Sequence, residues 1–441
     1  MAIHLPVRSA APPAIPARLP AVALDQLSFL FGPLSDSQLR CVLRLDGQLD
    51  AGRLQRALRL TLDAEPVVGC RFVRRRGRFA WERRADLDDL ALCQVVACAD
   101  QRTLDQELDR FLVAPMDVFA GPAAAACLLR SDTDTLIVKL HHFAADGLGM
   151  LQFLVTLAAI YRELAVCPGY RPRPNLASRG QGHVLRRAGL MGMLMALGSA
   201  RLPARREGWG PIATGEARAG PAFALRRIGP ERVRALRAWS RAHQVSVTDL
   251  LLAALYQALH ATVGARPGQL TVGVPIDLRR YLAPGQAPPV CNLSNSADVT
   301  IAYEPGAPFD DTLRRVHAAM RALKSSGRGL TLAALAELLA VPALALARTG
   351  LEQFVRRMAP AGSAAPFLSN VGVIDERLVD FGELAVADAY GLGTVMFPPG
   401  LLLTVSTFRE VMTFAIGFCD TATDRRLVER LLDELLGSLP A

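Results

Sequence analysis

Residues 139–150 read KLHHFAADGLGM, with two adjacent histidines followed by Asp146 and Gly147. An imidazole titrates near neutral pH and can take a proton from an alcohol or amine as that group attacks an electrophile. The apolar alternation of TLIVKLHH implies a strand running into His141 and His142, and neighbouring strand residues point to opposite faces. One histidine therefore faces a cleft and the other the core, which argues against both holding one metal ion. Gly147 permits close approach by another backbone or by substrate. Asp146 can cap the next helix or hold a cation that fixes the loop. The plainer reading is a polar turn between a strand and a helix. An HHxxxDG pattern between a strand and a helix arises by chance in fewer than roughly one chain in a thousand of this length.

The flanking sequence supplies the elements that must place these residues. LRCVLRLDGQLD (39–50) is a strand ending in a turn at Asp46-Gly47, and AGRLQRALRLTLDAEP is an amphipathic helix stopped by Pro66. A hairpin turning at Gly77 follows, then a helix near 103–113. AAAACLLR and TDTLIVKLHH are paired strands joined by a polar turn at 131–134, and an apolar helix runs from about Gly147 to Leu164. Residues 168–222, rich in Pro, Gly and Arg, read as a linker between lobes with one helix around LMGMLMALG. From 223 a second lobe begins. Its helix SVTDLLLAALYQALHATVG is capped by Ser246 or Thr248. Strands follow in QLTVGVPIDL, NLSNSADVTIAY and FLSNVGVID, then a hairpin in LLLTVSTFREVMTFAIGFC and a closing amphipathic helix. The expected division is a flexible tail at 1–20, a first lobe at 21–167, the linker at 168–222 and a second lobe at 223–441, all of α/β character.

The chain has 441 residues, 51% hydrophobic and 21% charged, enough for two lobes around a shared cleft. The formal charge of +9 rests almost wholly on arginine, since Lys139 and Lys324 are the only lysines. It reads as a solvated surface or as attraction to an anionic partner: coenzyme A phosphates, an acidic carrier protein, nucleic acid or a lipid headgroup. No helix-turn-helix, zinc finger or RNA-recognition signature is present, so nucleic acid is not expected. The eight cysteines are scattered, without a CxxC pair, and read as small buried hydrophobes in a reduced compartment; no metal site is expected. The N-terminus lacks the features of a signal peptide, and no clean apolar span of ~20 residues occurs, so a cytoplasmic location is expected. LTLAALAELLAVPALALA, interrupted by Glu337 and Pro342, reads as a buried helix pair or a kinked helix. The stretch 183–206, the apolar island LMGMLMALG flanked by arginines, can lie on a membrane surface, cap the core or fill a substrate tunnel.

The HHxxxDG stretch resembles the signature of the chloramphenicol-acetyltransferase-like superfamily. That group includes peptide-synthetase condensation domains, plant BAHD acyltransferases, polyketide-associated acyltransferases and wax ester synthases. The resemblance extends over roughly residues 22 to 438. LRLDGQLDAGRLQRALRLTLDAEPVVGCRF is similar to the N-terminal strand-helix-strand of bacterial members, with Gly69 where an arginine is usual, though Arg71 remains. VGVPIDLRRYL matches a strand ending in a structural arginine, and FLSNVGVID matches a Ser-Asn strand near the cleft. The implied fold is two such lobes, mixed sheets flanked by helices, with the active site between them. The implied roles are His142 as general base, His141 as structural, Asp146 paired with Arg279 at the turn closed by Gly147, and Ser369 and Asn370 as cleft-lining residues.

The implied chemistry is transfer of an acyl group from a thioester to a hydroxyl or amine. Coenzyme A or phosphopantetheine would serve as co-substrate, no cofactor would be tightly bound, and an acyl carrier protein could be the donor. An activated thioester needs no covalent nucleophile, and no GxSxG elbow is present. GxxxxGK[ST] and GxGxxG are absent too, which leaves ATP and dinucleotide chemistry unsupported. VDFGELAV (379–386) only partly matches the plant DFGWG motif, with Glu383 in the Trp place. Asn370-Val371 runs straight into Gly372 where wax synthases have Val-Pro-Gly, so a specialised-metabolite ester or amide is expected over a wax. Alternative readings are a stand-alone condensation domain, a catalytically silent relative and a lipid-binding protein.

Overall fold

The computed structural model describes residues 13–75, 78–182, 184–186, 189, 208–215, 218–283, 288–325, 330, 333–334, 337 and 365–440. The first part of the chain forms β1 (Arg18–Pro20), α1 (Ala23–Phe31), β2 (Gln38–Leu45), α2 (Ala51–Ala64), β3 (Cys70–Arg75) and β4 (Arg78–Arg83). It continues with β5 (Cys93–Ala97), α3 (Gln101–Val113), β6 (Ala124–Arg130), β7 (Asp134–His141) and α4 (Gly147–Val166). The second part forms β8 (Pro221–Ile228), α5 (Pro230–Ala242), α6 (Val247–Val263), β9 (Gly268–Asp277), β10 (Ser294–Tyr303) and α7 (Phe309–Ser325). It closes with β11 (Ala365–Val373), β12 (Val386–Leu392), β13 (Gly400–Phe408), β14 (Val411–Cys419) and α8 (Arg425–Ser438).

Two mixed sheets organise the lobes. The first runs β12-β2-β7-β6-β5, antiparallel except where β5 lies parallel to β6. The second runs β10-β9-β11-β13-β14-β8, with β11 parallel to both β9 and β13. Apolar residues of α2 and α4 pack on one face of the first sheet, and those of α3 on the other. Helices α5 to α8 cover the second sheet. Helix α4 is apolar on every side because it is enclosed: Phe153, Leu154, Leu157, Ala158 and Ile160 are wholly buried. It is long and apolar enough to cross a membrane, yet 78% of its most apolar window is buried inside the molecule.

Several sequence boundaries shift. The lobes are not simply successive, because β12 returns to the first sheet and pairs with β2 from Val386–Leu45 to Leu392–Arg40. Strand β2 is almost wholly buried, so its outer backbone groups need a ladder partner, which the returning strand provides. Residues 18–20 belong to no tail: they pair with β4 in a three-stranded sheet of order β1-β4-β3. The described ends of the 168–222 segment are docked rather than free. Tyr170, Gln181 and Trp209 are buried, and the Trp209 indole donates to the Thr271 carbonyl at 3.0 Å. Proline, glycine and arginine make these described ends irregular without making them loose. The LMGMLMALG island and most of LTLAALAELLAVPALALA lie outside the described residues, as do residues 1–12 and the Gly77 turn, although the β3–β4 hairpin itself is formed.

Candidate active site

Strand β7 delivers the two histidines to the turn before α4, as its alternation requires. His141 is buried, and its Nδ1 accepts the Phe143 N–H at 3.3 Å. Burial, reinforced by the neighbouring His142, pushes its pKa down to about 3, so the ring is neutral. Its edge meets Phe143 with ring centroids 4.3 Å apart. His142 is half-buried, and its N–H donates to the Ser37 carbonyl at 2.7 Å. The two rings thus divide between core and partial exposure.

Asp146 caps α4: its Oδ1 accepts the Gly149 N–H at 2.8 Å. The same carboxylate takes a two-pronged grip from Arg279, at 2.8 and 2.9 Å, and accepts the Leu293 N–H at 2.8 Å. Burial opposes its ionisation, but Arg279 and these hydrogen bonds outweigh that and hold the carboxyl below the usual range. Both sequence alternatives for Asp146 are therefore realised at once, as helix cap and as partner of a cation. Arg279 follows β9 and also reaches the Cys291 carbonyl at 3.1 Å. Its charged form is favoured: burial alone would lower its pKa, but Asp146 raises it further.

Of the two readings of Gly147, approach by a backbone or by substrate, the backbone approach occurs two residues on. A Cβ on Gly147 would meet only Val371 side-chain carbons at 3.6 Å, an ordinary contact. A Cβ on Gly149 would stand 2.8 Å from the Cys291 carbonyl oxygen. Strand β11 reaches the turn through Val371, the extra residue of a bulge between Asn370 and Gly372. Asn370 itself donates to Thr248 Oγ1 at 3.1 Å and accepts from the Gly372 N–H at 3.1 Å. Its polar atoms are thus committed to α6 and the bulge. This also separates the two cap candidates of α6: Ser246 makes the capping box with Asp249, while Thr248 serves Asn370. Ser369 is half-buried on the same strand, beside Thr404 of β13.

Residues 290–293 hold a feature without a clear sequence signal. Asn292 and Leu293 read as the start of the NLSNSADVTIAY strand, but β10 begins at Ser294. The four residues instead form a strap from the second lobe onto the turn. The Cys291 carbonyl accepts from the Asp146 N–H at 3.4 Å, and the Leu293 carbonyl accepts from the Leu278 N–H. Asn292 Oδ1 accepts the Ser294 N–H at 3.2 Å, which turns its Nδ2 toward Ser28 Oγ at 3.0 Å and His142 Nδ1 at 3.5 Å. The only sequence signal was Asn292 itself, a polar residue in an apolar stretch.

Where the sequence departs from the pattern it resembles, other local contacts occupy the positions. At Gly69 a Cβ would meet Arg83 Nη1 at 3.1 Å, and Arg83 donates there to the Leu62 carbonyl and forms an ion pair with Asp63. An arginine from the adjoining strand fills that space, while Arg71 pairs with Glu82 on the hairpin. Glu65 is buried and accepts the Val290 N–H at 2.8 Å; burial pushes its pKa up to about 8. The VDFGELAV segment packs on the far end of α4, through Asp380–Arg162 and Phe381 on Tyr161. Tyr161 is about 20 Å along that helix from Gly147, so this segment has no part in the site. All eight cysteines are free thiols, seven of them buried.

No family model and no curated protein matches the chain. Solved structures do. The first condensation domain of the calcium-dependent antibiotic synthetase, in complex with a substrate analogue, superposes with a TM-score of 0.71 at 21% identity, covering 96% of this chain and 95% of that one. The SgcC5 protein from Streptomyces globisporus gives 0.70 at 18% identity, covering 96% and 98%. The TRI3 trichothecene 15-O-acetyltransferase from Fusarium sporotrichioides gives 0.70 at 14% identity, covering 98% and 99%.

Proposed function

We propose that this chain, which has the fold of condensation domains and chloramphenicol-acetyltransferase-like acyltransferases, moves an acyl group from a thioester to a hydroxyl or amine. The observation that carries the reading is His142. It stands half-exposed at the junction of the lobes, on a turn whose other polar groups are tied down by Asp146, Arg279 and the 290–293 strap. The acceptor heteroatom attacks the thioester carbonyl carbon, the C–S bond breaks, and the acceptor's proton passes through His142 to the departing thiolate, leaving a free thiol. The donor is coenzyme A or the phosphopantetheine of a carrier protein; the product is an ester or an amide.

Asn292 favours a second role for the same residue. A tautomer whose Nδ1 accepts from the Asn292 amide, 3.5 Å away, would carry its proton on Nε2 and meet substrate as a hydrogen-bond donor that orients the acceptor. The test is acceptor-dependent thiol release from acyl-coenzyme A and carrier-bound acyl groups, run on the wild type and on His142→Gln. Glutamine can donate a hydrogen bond but cannot carry the proton. Loss of roughly 10²–10⁴-fold in turnover fits the base, and near-full activity fits the donor. Absence of thiol release from every thioester tried would turn the reading to a silent relative.

A further inference from the structure

The segment after α4 was expected to link the lobes, yet it carries a buried arginine aimed at the turn. Arg179 is only 8% exposed. Its Nη1 and Nη2 grip the Asp25 carboxylate of α1 at 2.7 and 3.1 Å. Nη2 also donates to the Ala144 carbonyl at 2.7 Å, inside the HHFAADG turn, and Nε donates to the Val290 carbonyl at 3.1 Å, at the head of the strap. The Trp81 indole donates to the same Asp25 at 2.8 Å and lies under the guanidinium. One side chain therefore joins α1, the hairpin sheet, the turn and the second lobe.

We propose that Arg179 is a positioning residue that sets the path of the turn between His142 and Asp146. Two hydrogen bonds end inside that turn without Arg179's help: Phe143 N–H to His141 Nδ1, and Ala144 N–H to the His141 carbonyl. Both are local. The turn is held at Ala144 by Arg179 and at Asp146 by Arg279. The two arginines are also tied to neighbouring strap residues, Val290 and Cys291. A planar fork is needed for this, because three acceptors on three segments must be met at fixed angles; a lysine ammonium cannot reproduce it. Asn175, four residues earlier, adds a second anchor: its N–H donates to the Ala64 carbonyl at 2.8 Å, and its amide reaches Glu65 at 3.4 Å. Residues 175–179 thus act as a clasp.

The consequence for turnover rests on the acyl-transfer reading, but the consequence for the turn does not. Arg179→Ala and Arg179→Lys are compared with the wild type by hydrogen exchange and by thiol-release kinetics. Lysine keeps a positive charge beside Asp25, so that variant remains informative if Arg179→Ala does not fold. The expected result is faster exchange confined to amides 142–146, with β6 and β7 as protected as in the wild type. Turnover should fall by roughly 10²-fold in both variants, the scale of an ångström-sized misplacement, with KM for the thioester little changed. Added guanidinium should restore part of the turnover of Arg179→Ala. Wild-type exchange at 142–146 in both variants would overturn the proposal, as would full turnover in Arg179→Lys. If the wild type releases no thiol from any thioester, the acyl-transfer reading falls, and the exchange pattern still decides the clasp.

Discussion

Two buried polar clusters lie a few residues apart, one on strand β7 and one on the turn that follows it, and they are built on different plans. At Lys139 the cation sits inside one lobe. Its Nζ donates to the carbonyls of Phe111, at 3.0 Å, and Ala114, while Arg40, its partner across the β2–β7 ladder, donates to the Leu112 carbonyl at 2.6 Å. Both side chains rest on the C-terminal end of α3, where the helix presents unpaired carbonyls and the negative end of its dipole, and Arg40 also pairs with Asp36. At Asp146 the plan is a full carboxylate–guanidinium pair, and every partner beyond α4 comes from the second lobe. The first cluster closes a sheet on a helix. The second joins two lobes and leaves one neighbouring ring, His142, half-exposed. A buried charge by itself did not mark the site; the ion pair between the lobes that stands beside a half-buried ring did.

Breaking the second cluster should have the larger effect. Asp146→Ala strands Arg279 and removes the acceptor of two backbone N–H groups, so unfolding by denaturant should show a loss of about 3–5 kcal/mol, the usual range for removing one partner of a buried pair. Wild-type stability in that variant would mean that water or rearrangement replaces the pair. The strap can be challenged without touching charge. Gly149→Ala forces a methyl against the Cys291 carbonyl and should destabilise by about 1–3 kcal/mol, whereas Gly147→Ala should be close to neutral in stability.

The first cluster should respond chiefly to pH. Burial, then the charge of Arg40, brings Lys139 from 10.5 down to about 7. Between those values the unfolded chain binds more protons than the folded one, so this group makes stability rise with pH across about 7 to 10.5. Lys139→Met should remove that rise, so the stability of the variant relative to the wild type should be most favourable at pH 7 and decline toward pH 10.5. Melting temperatures of both proteins across this range check it, and parallel curves would contradict the lowered value.

Much of this was legible because it follows from local pattern. The alternation into His141 and His142 placed one ring inside and one half-exposed, and helix α4 followed from its apolar run and the Asp146 cap. The arginine at the end of VPIDLR lies against Asp146 at 2.8 Å, where the resemblance put it. What escaped was long-range. The return of β12 to the first sheet depends on an edge of β2 that only the assembled lobes create. Arg179 and Glu65 sit in segments whose composition suggests solvent, and their burial is set by partners more than a hundred residues away. Asn292 looked like part of β10 because a strap and a strand share the same apolar spelling.

The most direct test of the account is thiol release from matched acyl thioesters and acceptors by the wild type and by His142→Ala, with melting temperatures recorded for both. The account predicts acceptor-dependent release by the wild type. It also predicts a loss of roughly 10²–10⁴-fold in the variant, with the fold intact, because the half-exposed ring supports no part of the core. Release by His142→Ala at the wild-type rate would contradict it.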